Sequence, residues 1–571
     1  SPVVDMQRLT RSDEKLGLVG GAVALDEGLT PGPQDSAIAE ALARQLPRVH
    51  LTQAALNDDV SRQAWKHYLV SLDRRHIFFL ESDIAAFKQR QLTLDDALAR
   101  GDVSFAYEVF NLFRQRVNEG HAYLGALLEG DLDLEADEAY RWNREDVAWP
   151  RDQNAWNEVW RHTVKDRYLR YAVGAPGGAP GDDGPEPGAT PATAVAQRYD
   201  RFREVVNGRD AASVLEQYLT SFAKAYDPHC HYMSPASATR FDAEDEGTVR
   251  HELRQIRDTD GETRRVGLIT LSAFYGRTPA QVDNAEEGRS SAGDVEAILQ
   301  GMATNHVQGV LLDLRNNGGG SLHEAIRMTG LFIPSGPVVQ VKSREGIVIL
   351  TDNDGVRAYA GPLVLLVNRR TASASELLAG ALQDYGCAIV VGDTKTHGKG
   401  SVQGVHDVGE DGRWGAIKTT DALYYRVSGG STQLKGVTPD IVLPSRSDSM
   451  PIGEDFLENP LPWSMVRPAR FRPLGDTYEM VPVLTALSLQ RRSEDSRFAD
   501  YTNFLARVDT LDKAEMLSLN IEQRKKMATV RNKLYDLGRE FAAEAGEASG
   551  DIVLQEALNI VADLVSLHPG R

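Results

Sequence analysis

Cysteine is nearly absent from this chain. Cys230 and Cys387 are the only two in 571 residues, so a disulfide framework is excluded and at most one bridge can form. The same scarcity excludes a cysteine-based zinc site and fits cytoplasm and periplasm equally. Basic charge is short as well. Sixty-three Lys and Arg face 82 Asp and Glu, a formal net charge of -19, which argues against a binder of nucleic-acid backbones. No apolar run approaches the length that spans a bilayer. The start, Ser1–Asp5, lacks the basic-then-apolar pattern of an export signal, so such a signal has been removed or never existed.

What is present is ordinary globular material, 42% apolar and 25% charged, long enough for several domains. Residues 1–35 read as an irregular arm, rich in Gly and Pro near Gly28–Pro33. From 36 to 240 the pattern is helical. Phe105, Val109, Leu112 and Phe113 share one helix face, and Trp65, Trp149, Trp156 and Trp160 are candidate core anchors. The Gly/Pro-rich stretch 174–191 predicts a flexible loop. From Val266 short apolar runs take over: Val266–Leu271, Val307–Leu314, Pro337–Val341, Leu363–Val367, Ala388–Val391, Leu423–Val427 and Ile441–Leu443. Runs apolar throughout suit strands covered on both faces. Helical stretches at about Val295–Thr304, Leu322–Leu331 and Ala374–Tyr385 alternate with them, which predicts an α/β domain. From about Pro460 the chain reads helical again.

Chemistry concentrates at Thr371-Ala-Ser373-Ala-Ser-Glu376 and His397-Gly-Lys399-Gly400-Ser-Val-Gln403. Ser373 sits at a strand-to-helix corner, where free amides and a partial positive charge can receive an oxyanion, the amide of Ala374 first. The plain reading of Ser373 and Glu376 is a capping box, and Ser321 with Glu324 is assigned as such a cap. Two features raise Ser373 above Ser321. Gly318-Gly319-Gly320, ending the apolar strand at Val307–Leu312, can bring a second backbone donor close. Lys399, between two glycines, can serve as the base for Ser373 once uncharged. Lowering its pKa from about 10.4 to roughly 7 costs about 4–5 kcal/mol, which burial can supply.

Other motifs fail on inspection. Gly392-x5-Gly398-Lys399-Gly400 has the wrong spacing for a phosphate loop and lacks the following Ser or Thr. Ser221-Phe-Ala-Lys224 has no partner Lys-Thr-Gly motif. His251-Glu252 and His323-Glu324 lack a second histidine, and His229-Cys-His231 reads as structural.

Together these motifs resemble the carboxy-terminal processing proteases, and most closely their bacterial, Prc-type tail-specific branch. Asp227-Pro-His229 with Tyr232-Met-Ser-Pro235 resembles the segment before that family's PDZ domain. Gly330–Val341 and Gly429–Asp440 also follow the branch's pattern. The resemblance implies Ser373 as nucleophile, Lys399 as general base, Gln403 as the residue orienting the lysine, and Asp384 as an aspartate grouped with the catalytic set. It implies Gly318 or Gly319, with Ala374, as oxyanion donors. It implies no cofactor, neither ATP nor metal. Two departures stand out. The Ser-to-Lys spacing is one residue longer than usual, through Asp393-Thr-Lys-Thr-His397. Where the family carries a PDZ domain, between Phe241 and about His251, this chain has about ten residues, an acidic connector at Asp242–Gly247.

The resemblance therefore leads us to expect a multidomain α+β protein, its crotonase-like α/β serine protease core at 258–447. Helical domains would flank it at 36–240 and 448–571, with a connector at 241–257. The expected activity is ATP-independent endopeptidase cleavage of periplasmic proteins with apolar, unstructured C-termini. A lipoprotein adaptor and oligomerisation fit the branch; nucleic acid and an integral membrane segment do not. The rivals are a catalytically resting scaffold and an amidase or esterase using the same Ser–Lys pair.

Overall fold

The computed structural model describes residues 28–130, 132–174, 188–241, 247–276, 289–541 and 550–568. Most of the expected arm, most of the Gly/Pro-rich loop and nearly all of the acidic connector lie outside them. Two compact units emerge. One gathers residues 1–238, 405–419 and 508–538, and the other gathers 239–404, 420–507 and 539–571.

The first unit is helical through α1 (Asp35–Val49), α2 (Asp58–Asp73), α3 (Glu81–Lys88), α4 (Leu94–Ala99), α5 (Ser104–Glu129), α6 (Gln153–Ala172), α7 (Pro191–Asn207) and α8 (Ala211–Lys224). Polar side chains start several of them. Asn57, Asp152 and Asp210 each accept first-turn amides, satisfying donors that have no partner inside the helix. Phe105, Val109 and Phe113 of α5 are buried as their spacing predicts, and so are Trp65, Trp156 and Trp160. Each indole N–H meets a carbonyl: Trp65 that of Phe87, Trp156 that of Phe78 and Trp160 that of Ile77. Trp149 is only partly buried and donates to Asp73. His229 and His231 do not form a metal-binding pair with Cys230. Cys230 instead donates to Asp227, which also meets His50 at 2.7 Å, in a buried cluster bonded to itself.

The second unit carries a six-stranded sheet. Its strands are β1 (Val249–Arg257), β2 (Thr263–Leu271), β3 (Gly309–Asp313), β4 (Leu363–Val367), β5 (Ile389–Gly392) and β6 (Ile441–Val442), in the order β6-β5-β4-β3-β2-β1. All pairs are parallel except β1 with β2. The uniformly apolar runs are explained by alternation. Leu312, Leu365 and Val390 face one core with α9 (Ser291–Thr304), α10 (Leu322–Gly330) and α11 (Ala374–Asp384). Their neighbours Leu311, Leu366 and Val391 face the other core with α12 (Thr477–Glu494) and α13 (Ile552–Leu567). A sheet between two helical layers results.

One expected boundary moves. Residues 249–257 are not connector but the edge strand β1, whose exposed charges hid it from an apolar search. Within 448–571 the helices divide between the two units. Residues 508–538 cluster with the first unit, where Met516–Ser518 pairs with Ala139–Arg141 and Arg524 reaches Asp166. α13 is buried on nearly every side against the second unit's sheet. It approaches so closely at Gly309 that a β-carbon there would lie 2.6 Å from Val561. Leu558 is fully buried in this layer, so Leu558→Ala is expected to cost about 2–5 kcal/mol. Chemical denaturation of the second unit's transition measures it.

Candidate active site

The expected site lies where β3 and β4 end, beyond the carboxyl edge of the parallel strands, a common site for ligands in such sheets. β4 runs into a turn in which Thr371 Oγ donates to the carbonyl of Leu314. The chain then reverses into α11 at Ser373, whose φ is 58° and ψ is -117°. A serine held at positive φ is an imposed conformation. It matches the strained corner on which hydrolases expose a nucleophile.

The glycine loop after β3 is fastened beside it. The carbonyl of Asn317 accepts the amide of Ala372 at 3.0 Å and the hydroxyl of Ser375 at 3.1 Å. Two of the three glycines are demanded by packing. Gly319 and Gly320 have φ of 108° and 132°, and β-carbons there would lie 2.8 Å from the Ser373 side chain and 2.4 Å from the Phe274 carbonyl. Gly318 has neither constraint; it is exposed and open space surrounds it. The Gly319 amide is already engaged, donating to Asn317 Oδ1 at 2.9 Å. Gly318, the other expected loop donor, is exposed beside the first turn of α11.

Lys399 follows β5 in a loop leading into β7 (Ser401–Asp407). Its Nζ donates to the Ser401 carbonyl at 2.8 Å and to Gln403 Oε1 at 2.6 Å. Gln403 in turn donates to the hydroxyls of Ser401 and Thr420. Those hydroxyls could meet either end of the amide, and it is the N–H donor of Lys399 that draws the Gln403 oxygen toward it.

One buried carboxylate joins the two halves. Glu376 Oε2 accepts the amide of Ser373 at 2.8 Å and that of Lys399 at 2.9 Å. Those two nitrogens thus lie within about 6 Å of each other. Its Oε1 accepts the amide of Gly398 and the hydroxyl of Thr396. From the opposite side, the buried Tyr424 hydroxyl lies 2.9 Å from the carbonyl of Ser373 and 2.6 Å from that of Lys399. Burial pushes the Glu376 carboxyl up to about 7 while its four donors pull it down. A raised carboxyl favours the folded chain at low pH, and that contribution is lost as pH rises through about 7. Accepting four bonds, in contrast, needs the ionised form.

Asp384 stands apart. It ends α11, eleven residues or about 16 Å beyond Ser373, and its carboxylate is held by Arg426 at 2.6 Å and by Ser428 at 2.8 Å. It does not join Ser373, and its observed work is to anchor the chain around Arg426. Ser321 caps α10 as expected, accepting the Glu324 amide. Tyr424 went unnoticed in the sequence, where an apolar run hid it, and Glu376 was visible there only as a cap partner.

Comparison with known proteins places the chain. Residues 42–236 match the tail specific protease N-terminal domain, 265–443 match peptidase family S41, and 447–566 match the C-terminal domain of tail specific protease. The chain belongs to the tail-specific, carboxy-terminal processing proteases of peptidase family S41. It is 27% identical to the tail-specific protease of Haemophilus influenzae, over 91% of this chain and 88% of that one. It is 41% identical to the carboxy-terminal-processing protease of Bartonella bacilliformis, over 31% of this chain and 38% of that one. The solved photosystem II D1 C-terminal processing protease is 29% identical over 35% of this chain and 48% of its own. The TM-score is 0.29, too low to argue from.

Glu376→Ala is expected to lower kcat about 100-fold with little change in KM, since a displacement near 1 Å costs that much. Asp384→Asn is expected to keep kcat within a few-fold and to lower the thermal midpoint. Steady-state cleavage and thermal melts of both variants check this.

Proposed function

We propose that this chain is an ATP-independent serine endopeptidase using a Ser373/Lys399 pair. The observation that carries the reading is the convergence of both residues' amides on one carboxylate oxygen of Glu376. Lys399 Nζ meanwhile has its own two acceptors, the Ser401 carbonyl and Gln403 Oε1. A neutral lysine has two N–H bonds and one lone pair. In the proposed step that lone pair takes the serine proton.

Ser373 Oγ attacks the substrate carbonyl as its proton passes to Lys399. The amides of Ala374 and Gly318 stabilise the oxyanion. Lys399 then protonates the leaving amine, and water, activated by the same amine, hydrolyses the acyl-enzyme. Gln403 keeps the amine aimed. Substrates are poorly folded proteins ending in apolar residues, met in the periplasm, and a lipoprotein adaptor is a compatible partner. The name of the Haemophilus influenzae relative, a tail-specific protease matched over 91% of this chain, supports recognition of a protein's tail.

The test is incubation with an unstructured protein ending in apolar residues, beside the same protein ending in aspartates. The native chain is expected to cleave the first faster, with activity lost in both Ser373→Ala and Lys399→Ala. Its rate should rise with pH as the Lys399 amine loses its proton and Glu376 becomes ionised. Equal cleavage by all three chains would indicate a contaminant. Cleavage by none would favour the scaffold reading. A rate independent of pH between about 6 and 9, with chemistry limiting, would contradict the lysine's role.

A further inference from the structure

The loop that presents Lys399 is gripped from a second direction, by Gln433 and Leu434 and, behind them, by residues beyond 265–443, the segment that matches the S41 peptidase. On one side of the lysine, the Gly398 carbonyl accepts the amide of Leu434 at 2.7 Å. On the other, the Gly400 amide donates to Gln433 Oε1 at 2.9 Å. Gly400 has no room to do otherwise, since a β-carbon there would lie 2.7 Å from the Gln433 amide nitrogen.

A glutamine side chain can present either its oxygen or its nitrogen, so something must choose. Gln433 is fully buried. Its Nε2 donates to Glu454 Oε1 at 2.9 Å and to the Leu461 carbonyl at 3.0 Å. The Leu461 peptide carbonyl can only accept, so it requires the nitrogen, and the oxygen is left to face Gly400. Glu454 is itself fully buried, and its amide donates to the His397 carbonyl at 2.9 Å.

The same C-terminal segment fastens the surrounding loop at further points. Asp455 pairs with Lys395 at 2.9 Å. Trp463 donates to the Ser431 carbonyl at 2.9 Å and lies under the Lys435 ammonium. Glu454, Leu461 and Trp463 all fall within 447–566, the stretch that matches the tail specific protease C-terminal domain.

We propose that the segment Glu454–Trp463 is a built-in brace for the general-base loop, in which Glu454 is a positioning residue acting on Lys399 through Gln433. The inference rests on the Ser/Lys reading for its effect on rate, but its structural content is independent of it. Glu454→Ala removes one of the two acceptors that hold the Gln433 amide and leaves a buried N–H unsatisfied. Glu454→Gln can still accept through its own carbonyl oxygen. Gln433→Glu sets acceptor against acceptor.

The test uses the full chain and two readouts. Hydrogen exchange of the peptide covering residues 397–403 is expected to quicken at least tenfold in Glu454→Ala and in Gln433→Glu. It should stay within threefold of native in Glu454→Gln. For cleavage, kcat is expected to fall at least tenfold in the first two variants, with KM within threefold and near-native values in Glu454→Gln. Unchanged exchange at 397–403 in Glu454→Ala overturns the brace, as does quickened exchange spread evenly over the second unit. Failure of the native chain to cleave would sink the Ser/Lys reading, while hydrogen exchange would still decide the brace.

Discussion

The site depends on one buried carboxylate. Glu376 begins as a helix-cap partner three residues from Ser373, and ends up receiving the amides of both Ser373 and Lys399. Neither of those residues is close to the other in sequence, and β4, α11 and β5 are needed to bring them round. A carboxylate that accepts two bonds on each oxygen fixes distance and direction together. Tyr424 repeats the tie through the carbonyls, so the two peptides are held from both edges. The serine's positive φ is sustained by this surrounding structure, because an isolated turn would relax it.

That arrangement sets stability against function at a single group. Burial favours a protonated Glu376 in the folded chain, and the clamp requires the charge. The four donors offset the burial. The same logic recurs one layer out, where Glu454 is buried to orient Gln433. In both places an acceptor-only group dictates which way its neighbours' hydrogen bonds run. Neither glutamate needs to touch a substrate to matter for the rate.

Much of this was readable in sequence, for identifiable reasons. The parallel strands are apolar on both faces, so Leu363–Val367 was located to the residue and its neighbours nearly so. Ser373 and Lys399 were marked by their corner, their glycines and the family resemblance. What escaped depends on contacts distant in sequence. β1 is an exposed charged edge and carries no apolar period. The hairpin strand Gly346–Asp352 has its apolar residues exposed and resembles a loop. The C-terminal helices looked alike, but only the structure separates α13, buried against the sheet, from 508–538. Asp384 matched a family position, yet its helix carries it three turns from the serine and hands it to Arg426. Nothing local marks Gln433 and Glu454 as partners, since their meaning lies in Gly400.

The central claim is that Lys399 lies against the side chain at position 373 because the clamp puts it there. The most direct measurement is the thiol pKa of Ser373→Cys, read from the pH dependence of alkylation at that peptide, with and without Lys399→Met. A helix N-terminus lowers the thiol in both proteins, so the difference isolates the lysine. The account predicts a pKa at least one unit lower when Lys399 is present, against an ordinary value of about 8.5. An identical pKa in the two proteins would contradict it.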